Sequence, residues 1–335
     1  MKASRVPPLL SLDRRGFTLI EVLAAVGIFS IVLTAVFATF TFQAQSYTTQ
    51  SRVAEMQQNL RVALDTLLRD SRMAGYGITS DINVPLSAIG GAGVTTVAVR
   101  GFYDADGGTT APDGIYILYT YDIDNTVAAL QPTLTTAAVT AANSGVTVSV
   151  TSNTGTRFSV GDLVILNNET SADLYQVTAR DNNSLTFGSA AAINANGHGA
   201  NHYYDVGTKV SLARFVRYFI DSTVAAHPTL MVSKVPGAVS QPVSEDIEDL
   251  QFQFGVAATS DNALVSTVVD SPTDAEILRI RRLQLSIIAR SEVYERGWTG
   301  RRSNIGNRTG TAPTDQYRRR VVDDMSIELR NLRLN

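Results

Sequence analysis

The chain has 335 residues, no cysteine, and 28 lysines and arginines against 31 aspartates and glutamates, a formal net charge of −3. That length supports one large or two modest globular units, while the absence of cysteine excludes a disulfide framework and a Cys-ligated zinc site. The mildly acidic balance offers no general footprint for wrapping nucleic acid, which usually needs a basic face.

Residues 1–16 form a basic leader, with Lys2, Arg5, Arg14 and Arg15 against one acid, Asp13. From Phe17 to Phe42 there follow 26 residues, all apolar or small but for one charge, Glu21. At about 1.5 Å rise per residue such a helix is roughly 39 Å long, more than the ~30 Å hydrocarbon core of a bilayer. A carboxylate inside it costs on the order of 2.5–3.5 kcal/mol, so Glu21 calls for a partner. A cut between Gly16 and Phe17 would supply one. The new Phe17 ammonium, with a reference pKa of about 7.7–8.0, lies four residues before Glu21 on the same chain, and a neighbouring helix could offer the same group. Losing the leader removes three net positive charges, from −3 to −6. An ordinary secretory signal has a shorter apolar run with the small residue after it, whereas here Gly16 comes first. A plain membrane anchor leaves Glu21 unexplained.

At these residues the chain resembles the type IV pilin and pseudopilin class. The run GFTLIEV at 16–22 is similar to the prepilin peptidase site. The resemblance implies cleavage between Gly16 and Phe17, N-methylation of Phe17, and an assembly role for Glu21 as the fifth mature residue. No proline occurs between residues 9 and 84, so the spacing predicts an unkinked N-terminal helix.

From Gln43 to Met73 the pattern turns amphipathic. Val53, Met56, Leu60, Ala63, Leu64, Leu67 and Leu68 recur at three- and four-residue spacings, while Arg52, Glu55, Arg61, Asp65, Arg69 and Asp70 fall largely elsewhere. One continuous helix of about 57 residues follows, ending at Gly75 and Gly77.

Beyond Ile78 the signal is β. Val94–Val99, Ile115–Tyr121, Val146–Val150, Leu163–Leu166, Leu174–Ala179 and Leu185–Phe187 are short runs rich in β-formers between Gly, Asn and Asp clusters. Val210–Ile220, Leu230–Val235, Leu250–Gly255, Leu278–Arg290 and Val321–Leu332 continue the pattern. The expected fold is α+β: a long N-terminal helix, transmembrane at 17–42 and amphipathic at 43–75, packed on an antiparallel sheet domain at 76–139 and 209–335. Residues 140–208 read as an inserted β-rich module, bordered by the Ala/Thr/Gln-rich 126–142 and the HGAN at 198–201.

A second resemblance runs along most of the chain. RVALDTLLRDSRMAGYGI at 61–78, VGDLVIL at 160–166, VRYFI at 216–220, EDIEDLQFQFGV at 245–256 and YRRRVVDDMSIELRNL at 317–332 are similar to the PilW family of type IV pilus minor pilins, related in layout to the J-type pseudopilin of type II secretion. The resemblance implies a low-copy subunit that primes or caps the pilus. Its implied partners are other minor and major pilins met through the N-terminal helix, the prepilin peptidase, the inner-membrane assembly platform, and membrane lipid before assembly. It implies a single-pass inner-membrane protein with its C-terminal domain in the periplasm, later carried to the cell surface. A type II secretion pseudopilin is the alternative within the class. A tip adhesin using the 140–208 module is the alternative from another class.

Enzymatic readings find little support, and neither a cofactor nor a metal is expected. The chain has three histidines, His198, His202 and His227. The first two share the Gly-rich NGHGANHYYD segment, which reads as a polar loop rather than a metal-binding helix. Asp104 and Asp106 alternate as calcium loops do, without the later ligands such a loop needs. Neither a nucleophile elbow nor a phosphate-cradling loop stands out. The run Glu245, Asp246, Glu248 and Asp249 reads as a solvated strand start. The arginines at 296, 301, 302, 308 and 318–320 read as solvated strand ends or salt-bridge partners, with no nucleic acid expected.

Overall fold

The computed structural model describes residues 16–78, 82–84, 97–99, 102–105, 111–121, 132–140, 145–168, 172–191, 193–194, 202–234, 239–259, 265–277, 279–309, 314–329 and 331. Residues 1–15 of the expected leader lie outside the described residues. So do Val94–Thr96, Asp106, His198, the HGAN stretch, Val235, Leu278, Leu332 and parts of the 126–142 border.

One helix, α1, runs from Leu19 to Met73 without a break, as the absence of proline predicts. By contact density the chain divides into two compact units, Met1–Arg52 and Val53–Asn335. In the second unit α1 buries Met56, Leu60, Ala63 and Leu67, and Val53, Leu64 and Leu68 pack partly against the same core. These are the residues of the apolar stripe.

The strands follow in chain order: β1 Ile82–Val84, β2 Val97–Val99, β3 Phe102–Ala105, β4 Gly114–Tyr121, β5 Ala138–Thr140, β6 Val146–Ser149, β7 Leu163–Asn167, β8 Ala172–Gln176, β9 Ala179–Arg180 and β10 Ser184–Phe187. The second half holds β11 His202–Tyr204, β12 Lys209–Asp221, β13 Thr229–Lys234, β14 Gln241–Ser244, β15 Ile247–Ala257, β16 Val265–Val269, β17 Ile280–Arg290, β18 Gly300–Arg301, β19 Thr314–Asp315 and β20 Arg319–Glu328. Among the described residues all pairings are antiparallel, so the fold is α+β. The largest sheet has seven strands, with path β14-β13-β12-β4-β3, and β7 and β8 added beside β12. A four-stranded sheet runs β16-β15-β17-β20. Isoleucines of β4, phenylalanines of β15 and leucines of β17 share one core with the outer half of α1.

Strand β12 organises the large sheet. One edge pairs with β4, while the other pairs first with β7 through Lys209–Ala213 and then with β13 through Val216–Asp221. Residues 140–208 therefore contribute β7 and β8 to the main sheet. They also build a second core from Val148, Val150, Phe158, Tyr175, Leu185 and Phe187, joined by Leu134 from the expected border. The period-2 alternation of β7 explains how one strand serves both: Leu163 and Ile165 enter the α1 core, Val164 and Leu166 the second.

The sequence run Leu174–Ala179 proves to be two strands rather than one. After Gln176 the backbone changes partner, with Val177 donating to the Asp162 carbonyl and Thr178 to that of Thr186. The polar residues of α1 also bring a correction. Asp70, placed by periodicity on the solvent face, is buried and accepts a 2.6 Å hydrogen bond from Tyr218 Oη on β12.

The helix stop is tied to β4. Gly75 and Gly77 have φ of 73° and 71°, a region where only glycine is free of strain. The Gly75 amide donates to the Leu118 carbonyl, and the Thr120 amide and hydroxyl both donate to the Tyr76 carbonyl. A Cβ at Gly77 would stand 1.9 Å from Thr120 Oγ1. Gly77→Ala should therefore lower stability by ~2 kcal/mol or more, from left-handed backbone strain plus the lost anchor. The urea midpoint of the purified protein checks this, and an unchanged midpoint would refute it.

Candidate functional site

The segment from Gly16 to Phe40 is exposed along its whole length in the structure, although it is the most apolar stretch of the chain. Phe17, Leu19 and Ile20 are each more than three-quarters exposed. Contiguous apolar surface of this extent marks a membrane or protein contact rather than a free helix. It is long and apolar enough to cross a bilayer.

The hydroxyls from Ser30 to Thr39 are already satisfied internally. Ser30 Oγ donates to the Val26 carbonyl, Thr34 Oγ1 to Ser30, and Thr39 Oγ1 to Ala35, at 2.8, 2.8 and 2.9 Å. Such bonds remove the cost of carrying hydroxyls into lipid, where no water replaces them. Glu21 is thus left as the one charged group of the segment. The first turn is organised around it: the Thr18 carbonyl accepts from the Glu21 and Val22 amides at 3.1 and 3.2 Å, and Thr18 Oγ1 lies 3.3 Å from the Glu21 amide. Thr18 and Glu21 have the spacing of a capping box, and an acid in the first turn is favoured by the helix dipole.

Elsewhere the titratable residues are tied into structure. Asp249 at the end of the acidic run is fully buried and faces Arg308 Nη1 at 3.3 Å and Arg302 Nη1 at 3.8 Å. Burial pushes its carboxyl up, against the opposing pull of Arg308, Gln251 and Arg302. Arg319 pairs with Glu248 and Asp315, each at 2.6 Å, and its hydrogen bond holds the Asp315 carboxyl below the usual range. Arg318 pairs with Glu295. The acidic run is consequently not a solvated strand start: Asp246 and Asp249 are buried and Glu248 is paired, and Glu245 alone is exposed. Sequence reasoning missed this because the arginines that bury Asp249 come more than fifty residues later.

His202 Nδ1 lies 3.0 Å from Asp173 Oδ1, and His227 Nδ1 lies 3.3 Å from Asp246 Oδ1. Asp104 falls in β3. Among the described residues no three His, Asp or Glu side chains gather as a metal site.

Residues 12–37 match the family model described as a prokaryotic N-terminal methylation motif, over the exposed apolar helix. Residues 217–331 match the family model described as type IV pilus-assembly protein W. Together the two matches support a type IV pilin-class minor pilin. The matched part of this pilin's globular unit starts within β12 and includes the whole four-stranded sheet, while 140–208 lies outside both matches. No curated protein and no solved structure matches. The matches indicate a structural subunit, the pilus-assembly family suggests interaction with other pilus components, and the apolar helix with the methylation motif suggests membrane anchoring.

Proposed function

We propose that this minor pilin primes or caps a type IV pilus after processing at its N-terminus. The observation that carries the reading is the exposed apolar helix with a single carboxylate, Glu21, five residues after Gly16. Prepilin peptidase cuts between Gly16 and Phe17, and the Phe17 amine is methylated. Arg14 and Arg15 hold the leader on the cytoplasmic side, so the globular unit faces the periplasm. The subunit waits in the inner membrane and then exchanges lipid contacts for packing against other pilin helices at the assembly platform. Glu21 there meets a Phe17 ammonium, since a lone buried charge is costly and a pair is tolerable. The fibre finally carries the globular unit to the cell surface.

Replacing Gly16 with a bulky residue should block maturation. Intact-mass measurement of membrane-extracted Gly16→Trp should find the full precursor. A methylated chain beginning at Phe17 in that variant would remove the assignment of the processing site. A J-type pseudopilin would behave identically here and differ in the machine it joins.

A further inference from the structure

We propose that an aromatic platform around Trp298 binds a glycan chain that carries carboxylate groups. The platform shares no residue with the N-terminal helix, so its fate is independent of the assembly reading, and it lies outside the 140–208 module. It is built on a turn in which the Trp298 amide donates to the Glu295 carbonyl at 3.0 Å and Gly297 takes a φ of 85°. The turn is fastened to the segment before β20 by Ser291 donating to the Arg318 carbonyl and Glu295 to that of Gln316, at 2.8 and 2.9 Å. Tyr294 and Trp298 stand before and at the end of this turn.

Each ring is packed on one of its faces. Tyr294 stacks on Tyr317 with centroids 4.2 Å apart, and Arg318 lies 4.2 Å over the Trp298 ring. Arg318 is itself fixed by Glu295, through Nε to Oε2 and through Nη2 to Oε1 at 2.8 Å. Even so, Tyr294 remains 59% and Trp298 39% exposed. Rings immobilised by stacking and cation–π contact, yet open to solvent, are preorganised to receive a flat partner at little entropic cost.

The polar residues of the same stretch say which partner. Arg296 and Arg301 are exposed and make no ion pair among the described residues, while Glu292 and Thr299 are exposed on the same loop. Sugar rings offer an apolar face to stack on Trp and Tyr and hydroxyls that both donate and accept. Glu292 and Thr299 can accept from hydroxyls, and Arg296 and Arg301 can donate to hydroxyls and pair with carboxylates. Single-stranded DNA offers Glu292 a phosphate chain without free sugar hydroxyls, whereas each residue of a uronic glycan brings hydroxyls that Glu292 can accept from beside the carboxylate that an arginine pairs.

The chain has one tryptophan, so its emission reports on this site alone. Full-length protein in mild detergent, titrated with polygalacturonate, should show a saturating change in Trp298 emission that salt at about 0.5 M largely removes. Arg296→Gln with Arg301→Gln should weaken binding about ten-fold while the urea midpoint stays unchanged. Tyr294→Ala should weaken it comparably, and neutral dextran should bind far less well. Absence of a response, a response equal in the arginine variant, or equal binding of dextran would overturn the proposal. Single-stranded DNA binding as tightly as polygalacturonate would overturn it too, in favour of a nucleic-acid surface.

Discussion

Glu21→Ala should leave the minor pilin at its normal level in the membrane and remove most of it from sheared pili. Membrane insertion becomes easier without a carboxylate, since the group costs on the order of 2.5–3.5 kcal/mol in lipid. With the pairing proposed above, the same change leaves a Phe17 ammonium unpaired in the fibre, and losing one member of a buried pair typically costs ~3–5 kcal/mol. Glu21 also sits where a capping-box acid would, three residues after Thr18, so a second variant is needed. Glu21→Gln keeps a residue that serves the capping box equally well and loses only the charge. If charge pairing drives assembly, both variants should fail alike. If capping is the whole role, Glu21→Gln should behave as wild type. The measurements are pilus yield and co-purification of this subunit with sheared fibres, at equal membrane levels. Wild-type values for both variants would show that Glu21 is not an assembly contact and that the chain works as an anchored domain. A subunit at the extreme tip would give a milder loss, because no subunit lies above its carboxylate.

Much of the fold could be read from local pattern, because local pattern is what dictates it. Period-2 runs such as Val210–Ile220 became strands, and β12 covers Lys209–Asp221. The stripe from Val53 to Leu68 became the core face of α1. What pattern could not show is where distant chain returns. Asp70 reads as a surface acid until Tyr218, 148 residues later, is placed over it. Leu174–Ala179 has unbroken β propensity, and its division at Val177 comes from a change of hydrogen-bond partner. The β character of 140–208 was visible, but the sharing of β7 between two cores depends on β12 running alongside it. The basic clusters behaved similarly. Composition could offer them as salt-bridge partners, and only the fold separates Arg302 and Arg308, spent on Asp249, from Arg296 and Arg301 at the surface.

The buried cluster on β15 should give the largest stability change in the globular unit. Asp249→Ala leaves the guanidinium groups of Arg302 and Arg308 in the interior without their carboxylate, and the expected loss is ~3–5 kcal/mol. The cluster is nonetheless not a source of stability in itself. Burial holds the Asp249 carboxyl above its ordinary value and the Arg308 guanidinium below its own, so desolvation outweighs attraction for both partners. The sign for pH follows: the folded protein holds the Asp249 proton more tightly than the unfolded chain. Stability attributable to this group therefore falls as pH rises from the ordinary carboxylate value, 3.8, towards the raised folded one. Replacing all three residues together, as Asp249→Leu, Arg302→Met and Arg308→Met, removes every charge and fills the space with apolar groups. That variant should recover most of the loss, and can equal or exceed the wild type, as other buried ion clusters do. Urea unfolding of the single and triple variants decides the matter. A triple variant no more stable than Asp249→Ala would show that the Asp249, Arg302 and Arg308 side chains fix the 302–308 loop against Gln251 in a way that apolar packing cannot replace.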